Sequence, residues 1–231
     1  MLSVPRIVAI GGNGFGADPP NELLESFLVK QAGAGRPRVC LVPTAGGDAE
    51  RTRLNFLRGC ARHDCIPSEL LLFNRTVADI RAHLLAQDIV WVGGGNTVSL
   101  LAVWRAHGVD VAMRAAWEAG VLLAGVSAGM NCWFEASVTD SYDLARLDGL
   151  RDGLGFLPGS ACPHYDGEAE RRPTYRRLLE SGFPAGYAAD DGVALVFEGR
   201  ELVEVLTSRD GATGYSVGRD GERALEARRL P

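Results

Sequence analysis

Five short apolar or β-branched runs recur along the first half of the chain, each separated from the next by a segment with helical signals. The runs span residues 7–10, 38–42, 69–72, 89–92 and 122–126. Strands that alternate with helices need crossover connections, which produce a mostly parallel sheet with helices on both faces. The sequence therefore predicts an α/β fold.

Glycine marks the ends of two predicted helices. Gly108 and Gly120 each follow a helical segment, where glycine readily takes the conformation that closes the last turn. Three later runs, separated by glycine-containing turns, predict an antiparallel edge near the C-terminus. The predicted helices span residues 50–62, 77–86, 97–106, 109–119 and 168–180, and the later strands span 193–197, 202–206 and 213–217.

Length and charge limit the organisation and the partners. With 231 residues, no internal repeat and no low-complexity linker, we expect a single domain over residues 1–231. The 24 basic and 29 acidic residues give a net charge of −5 without a charged tail, which argues against a nucleic-acid partner. No uncharged apolar run reaches about 18 residues. No signal-peptide pattern opens the chain, so we expect no membrane contact and a cytoplasmic location.

Neither a metal nor a cofactor is predicted. The five cysteines are odd in number and irregularly spaced, which predicts reduced thiols rather than disulfides. Cys60, His63 and Cys65 lack the second ligand pair of a zinc site. Residues 12–17 match the dinucleotide-binding pattern G-x-G-x-x-A, but two prolines interrupt the helix that should follow, and the second strand lacks the ribose-binding acid.

Residues 125–129 (GVSAG) form the strongest local motif. They end a predicted strand and precede a predicted helix over 128–134, the context that a G-x-S-x-G nucleophile elbow requires. Such a turn lifts the Ser127 hydroxyl out of the sheet. The Ala128 amide at the helix N-terminus can then stabilise an oxyanion. The alternative is a tight turn without catalytic chemistry.

A second glycine-rich turn, residues 93–97 (GGGNT), also leaves a strand and enters a helix. It lies at the same carboxyl edge of the sheet, where open α/β folds bind ligands. Gly94 or Gly95 can present an amide as the second oxyanion donor. Asn96 also fits the N-cap position of the following helix, a structural role compatible with this one.

A serine nucleophile needs a base, which is usually a histidine held by a third group. His63 and His83 lie on predicted helices and His107 lies in a last helical turn, where polar surface positions are expected. His164 lies in residues 137–165, a stretch rich in Asp, Gly and Pro with little strand or helix period. Long irregular connections are usually functional, so elimination favours His164 as the base.

Spacing does not choose the acid that would orient this histidine. The residues 190–192 (DDG) lead directly into a predicted strand, which places them at a sheet end, although most Asp-Gly steps are ordinary turns. The acidic candidates are Asp140, Asp143, Asp166, Glu168, Asp190 and Asp191.

Three segments together resemble the peptidase E (aspartyl dipeptidase) family of serine peptidases, which includes the cyanophycinases. They are residues 93–97 (GGGNT), 125–131 (GVSAGMN) and 163–166 (PHYD). The resemblance extends from the first strand to about Gly199. It implies a flavodoxin-like fold similar to class I glutamine amidotransferase domains.

The resemblance also implies roles for particular residues. Ser127 matches the nucleophile and His164 the base, and the amides of Gly94 and Ala128 match the oxyanion hole. The family's acidic dipeptidases carry a Glu just before a Gly at the start of a late strand, and Asp191 stands at the matching position. This departure predicts a Ser-His-Asp triad.

The implied reaction is hydrolysis of a small peptide, with Asp-X dipeptides as the family's usual substrate. The shorter acid at position 191 leaves Asp-X specificity open. An aspartate side chain needs a fixed cation, and Arg171, Arg172 and Arg176 follow the histidine in sequence. We predict Asn96 and Arg171 as substrate contacts and leave a monomer and a homodimer as alternatives.

Other interpretations fit the sequence less well. A glutaminase subunit needs a cysteine where Ser127 stands. An α/β-hydrolase esterase places its histidine late in the chain, whereas His164 follows the serine by 37 residues and no later histidine exists. The remaining alternative is a divergent family member that binds a peptide or metabolite without dipeptidase activity.

Overall fold

A computed structural model describes residues 4–33 and 35–231, whose strands form two sheets. The larger sheet contains β1 (Arg6–Ile10), β2 (Arg38–Val42), β3 (Ile66–Glu69), β4 (Ile89–Val92), β5 (Leu122–Val126), β10 (Val193–Glu198), β11 (Glu201–Thr207) and β14 (Arg228–Arg229). The smaller sheet contains β6 (Phe134–Asp143), β7 (Arg146–Leu150), β8 (Leu157–Cys162), β9 (Gly186–Ala189), β12 (Gly214–Gly218) and β13 (Gly221–Ala224).

Along the chain, most of the helices connect successive strands of the larger sheet. They are α1 (Glu22–Gln31), α2 (Glu50–Arg62), α3 (Ile80–Leu85), α4 (Thr97–His107), α5 (Val109–Glu118), α6 (Ala128–Asn131) and α7 (Arg171–Glu180). Gly108 and Gly120 have positive φ angles of 69° and 93° and follow α4 and α5 closely, as predicted. Across residues 4–33 and 35–231, no helix combines the length and the hydropathy needed to cross a bilayer.

The larger sheet has a parallel half and an antiparallel edge. Its order is β14-β11-β10-β1-β5-β4-β2-β3. The pairs from β1 to β3 are parallel, whereas β10 pairs antiparallel with both β1 and β11. The predicted α/β fold is therefore confirmed, including the antiparallel strands near the C-terminus.

Both faces of the larger sheet are covered. Ile7 and Ala9 of β1 pack into a core shared with α4 and α5, whereas Val8 and Ile10 point to the opposite core, beneath α1 and α2. All four side chains are fully buried. A strand buried on both faces must be apolar throughout, which explains the continuous apolar runs that predicted it.

The smaller sheet corrects two predictions. Residues 137–165 are not an irregular connection, because most of β6 and all of β7 and β8 lie within them. The strand predicted at 213–217 pairs with β9 and β13 in this sheet rather than with the larger sheet's edge. Shifts in strand register and tight glycine contacts break the alternation that reveals a strand; a Cβ on Gly159 would lie 2.3 Å from Ala185 O.

The two sheets meet at the carboxyl end of β1. Strand β9 of the smaller sheet continues through residues 190–192 into β10 of the larger one. The Gly11 amide donates to Val193 O at 3.0 Å, and the His164 amide donates to Gly11 O at 3.3 Å. Backbone hydrogen bonds thus join both sheets to the end of one central strand.

Candidate active site

Ser127 occupies a strained turn between β5 and α6. Its φ of 56° and ψ of −111° are unusual for a residue with a side chain, and its amide donates to Ile10 O at 3.0 Å. Strain of this kind persists where surrounding contacts enforce it, which is typical of functional sites. The hydroxyl makes no capping bond to α6.

The glycines of this turn are required by packing. A Cβ on Gly125 would lie 2.4 Å from Gly129 O, and a Cβ on Gly129 would lie 2.4 Å from Val92 O. Both distances are far below van der Waals contact. The G-x-S-x-G spacing is therefore what lets α6 begin directly against β4 and β5.

The second glycine-rich turn lies beside this serine. A Cβ on Gly94 would lie 3.3 Å from Ser127 Cβ and 3.8 Å from Ser127 Oγ. Gly95, in contrast, has a φ of 138° and packs against Ala45 O. Within the described residues, the amides of Gly94 and Ala128 have no hydrogen-bond acceptor. The geometry thus favours Gly94 over Gly95 as an oxyanion donor.

His164 and Asp191 are joined by a short hydrogen bond. The distance from His164 Nδ1 to Asp191 Oδ1 is 2.6 Å. The hydrogen bond from His164 lowers the pKa of Asp191, and the charges of His164, Arg209 and Arg171 lower it further against the opposing effect of burial. The carboxylate is therefore ionised at neutral pH and only accepts, so this hydrogen bond requires a proton on His164 Nδ1. In the neutral imidazole, Nε2 is then the acceptor.

Gly12 makes room for this pair and was not predicted as a site residue. A Cβ on Gly12 would lie 1.9 Å from Asp191 Oδ1 and 2.8 Å from His164 Nδ1. Gly12 also accepts from the Gly192 amide at 2.8 Å. The sequence placed this glycine only in a glycine-rich turn, because its contacts come from residues far along the chain.

The other acidic candidates have different partners. Asp166 accepts from the Asp191 amide, and Asp190 accepts from the Thr213 amide, both at 2.9 Å. Asp143 bonds the Ala145 amide, Glu168 binds Arg171, and Asp140 lines a separate cleft of about 490 Å³. Asp191 is thus the acid that the fold brings to His164.

The two residues predicted to bind substrate are engaged within the protein. Asn96 accepts from the Ser99 amide at 2.8 Å and donates to Ser141 O at 2.9 Å. Arg171 is only 3% exposed, and its guanidinium binds both oxygens of Glu168 and Val138 O. These contacts favour structural roles for both residues over the predicted substrate contacts.

Two of the other histidines are less exposed than predicted. His63 Nε2 lies 3.0 Å from Oε2 of the fully buried Glu25, and His83 Nε2 lies 3.5 Å from Cys40 Sγ. Burial lowers the pKa of His83. Over the described part of the chain, no group of three or more His, Cys, Asp or Glu side chains could hold a metal ion.

Comparison with known proteins assigns the family. The sequence model of peptidase family S51 matches residues 7–205. The chain is 45% identical over 213 residues to the uncharacterized peptidase YgaJ of Bacillus subtilis (strain 168), covering 92% of this chain and 91% of that protein. The chain belongs to peptidase family S51. It is a serine-type peptidase of the peptidase E type.

Further relatives of this S51 peptidase agree. Peptidase E of Citrobacter koseri is 35% identical over 91 residues, which cover 39% of each chain. The crystal structure of a peptidase from an acI-B1 Actinobacterium superposes with a TM-score of 0.73 at 17% identity, covering 98% of this chain and 96% of that one. A putative peptidase E from Listeria monocytogenes EGD-e gives 0.63 at 16% identity, covering 96% and 98%. The two structures show that the fold is shared.

Proposed function

We propose that this S51 peptidase hydrolyses short peptides through a triad of Ser127, His164 and Asp191. The observation that carries the proposal is the attachment of serine and histidine to consecutive residues at the carboxyl end of β1. The Ser127 amide donates to O of Ile10, the last residue of the strand, and the His164 amide donates to O of Gly11, the next residue. The 2.6 Å bond to Asp191 then orients the imidazole.

In this mechanism His164 Nε2 takes the proton from the Ser127 hydroxyl as the oxygen attacks the peptide carbonyl. The amides of Gly94 and Ala128 stabilise the oxyanion that forms, and His164 returns the proton to the leaving amine. Water then attacks the acyl-enzyme with His164 again as base, the bond between the acyl carbon and Ser127 Oγ breaks, and His164 returns the proton to that oxygen. Asp191 stays ionised throughout and stabilises the imidazolium.

The substrate class is a dipeptide or other short peptide, with Asp-X as the first candidate from the resemblance to peptidase E. Recognition of an aspartate side chain needs a fixed cation. Arg171 is bound to Glu168, and Arg172 pairs with Glu222 while stacking over Tyr165 and Tyr215 at 4.2 and 4.6 Å. These pairings favour testing several N-terminal residues rather than aspartate alone.

The experiment is hydrolysis of a dipeptide panel, with Asp-X, Glu-X, Asn-X and neutral N-terminal residues, by the wild type and Ser127→Ala. We expect at least one class to be cleaved, and the variant to lose at least about 10³-fold in kcat/KM. Ser99→Ala is the matched control, because Ser99 lies exposed on α4.

The outcomes separate specificity from mechanism. Cleavage of Asp-X alone would establish the peptidase E specificity, and cleavage of another class would keep the triad and change the substrate. A folded protein that cleaves no member of the panel would favour a divergent binder. Hydrolysis that survives in Ser127→Ala would contradict the proposed nucleophile.

A further inference from the structure

Asp191 is held by its backbone as well as by His164. Its amide donates to Asp166 Oδ1 at 2.9 Å, and its carbonyl accepts from Arg209 Nε at 3.1 Å. Arg209 also pairs with Asp166 through its Nη2. The three residues form a closed set of contacts, here termed the acid clamp: Asp166, Asp191 and Arg209.

The clamp connects the loop of the base to the loop of the acid. Asp166 lies two residues after His164, in a turn closed by the Gly167 and Glu168 amides, which donate to His164 O at 3.2 and 3.3 Å. Arg209 follows β11, a strand of the larger sheet. Any displacement of Asp191 along the backbone would therefore break bonds to two separate segments.

We infer that Asp166 and Arg209 are positioning residues that fix the Asp191 carboxylate against His164. This inference rests on the proposed function, in which Asp191 orients the base. Asp166 accepts a hydrogen bond from the Asp191 amide, and Arg209 donates one to the Asp191 carbonyl. The Asp191 side chain, between these two peptide groups, reaches the imidazole of His164. Neither Asp166 nor Arg209 touches the reacting atoms, so their effect passes through the geometry of the His164–Asp191 bond.

Charge contributes to the same end. The hydrogen bond from His164 has the largest effect in lowering the pKa of Asp191, and the positive charges of Arg209 and Arg171 lower it further. Arg171 is bound to Glu168, whereas Arg209 is bound to Asp166, so each cation is itself paired. Burial raises the pKa of Asp190, the residue that precedes Asp191 in sequence. Arg209 is the cation that also holds the Asp191 backbone.

The test measures kcat, KM and the NMR signal of the His164 Nδ1 proton in Asp166→Ala and Arg209→Met. We expect kcat to fall about tenfold, part of the roughly hundredfold loss that a 1 Å misplacement can cause. KM should change less than twofold. The downfield signal of the proton shared with Asp191 should broaden or disappear in both variants.

Conservative variants and a matched control sharpen the test. Asp166→Asn keeps an oxygen for the Asp191 amide and should recover part of the loss seen in Asp166→Ala. Arg209→Lys keeps the charge but cannot donate from two nitrogens and should be intermediate. Arg228→Met removes a comparable exposed pair with Glu204 and should leave kcat and the signal unchanged.

The results distinguish this inference from the proposed function. Unchanged kcat and an unchanged proton signal in Asp166→Ala and Arg209→Met would overturn the clamp, and so would lower kcat with an unchanged signal. The NMR signal needs no substrate, so it tests the clamp even if the dipeptide panel fails. Should Asp166→Ala or Arg209→Met not fold, the same comparison applies to Asp166→Asn and Arg209→Lys.

Discussion

At the scale of single residues, local chemistry predicted part of the site and long-range contacts determined the rest. Ser127 lies in a motif that can be recognised from the sequence alone, because the turn requires the flanking glycines. The choice of Asp191 came from the resemblance to a family, since six acidic residues were equally available by spacing. Gly12 is not predictable as a site residue, because no residue near it in sequence indicates that Asp191 and His164 pack against it.

Gly12→Ala tests this packing. The new methyl group would lie 1.9 Å from Asp191 Oδ1, so the acid or the base must move. Because a shift of about 1 Å can cost 10²-fold, we expect kcat/KM to fall about 100-fold with an unchanged far-UV circular dichroism spectrum. Gly35→Ala is the control, since among the described residues a Cβ there would have no atom within 4 Å apart from its chain neighbours. Equal activities of the two variants would show that Gly12 does not constrain the pair.

At the scale of elements, apolar periodicity predicted the strands of the larger sheet better than those of the smaller one. Strands β1, β2, β4 and β5 are almost wholly buried inside the larger sheet, so their sequences are continuous apolar runs. The predicted strand at 69–72 lies at Ile66–Glu69 instead, because β3 is an edge strand with a mixed, partly exposed sequence. Helix α1 was not predicted, since two prolines precede its N-cap at Asn21.

The contact between α1 and α2 offers an element-scale test. Glu25 of α1 is fully buried, and its carboxylate accepts from the Gly16 amide and from Arg62, with His63 also 3.0 Å away. The Arg62 side chain is 31% exposed and stays solvated when the carboxylate is removed, so the cost comes mainly from the Gly16 amide left without an acceptor, about 1 to 3 kcal/mol. We expect Glu25→Ala to lower the free energy of unfolding by that amount, measured by urea denaturation.

The exposed Glu22 on the same helix provides the control. Glu22→Ala removes a favourable charge from the first turn and should cost less than about 1 kcal/mol. Similar losses in both variants would show that the buried network adds little to the packing of α1 on α2.

At the scale of the whole molecule, the site forms where two sheets meet, and no local pattern predicted the second sheet. Ser127 follows β5 of the larger sheet and His164 follows β8 of the smaller one. Asp191 lies in the segment that connects β9 of the smaller sheet to β10 of the larger one. Aromatic side chains of both sheets pack in one core. Phe197 of β10 packs edge-on against Phe134 and Tyr187 of the smaller sheet, with ring centroids 5.8 and 5.6 Å apart. The rings of Phe134 and Tyr187 are themselves tilted, with centroids 6.5 Å apart.

This shared core predicts that the two sheets unfold together. We expect hydrogen exchange in rising urea, read by mass spectrometry, to give peptides from β5 and β8 the same free energy of opening. The exposed edge strand β13 should open more easily and serves as the internal reference. Opening of β8 at clearly lower urea than β5 would show that the smaller sheet is an independent unit.

The central claim is that Ser127 is a nucleophile activated by His164. Labelling with a fluorophosphonate, followed by mass spectrometry of the digested protein, tests it most directly, because the reagent bonds only to an activated hydroxyl. We predict one adduct on the peptide containing Ser127, its absence in Ser127→Ala, its strong reduction in His164→Ala and its retention in Ser99→Ala. An adduct on another residue, or none on a protein that still cleaves peptides, would contradict the account.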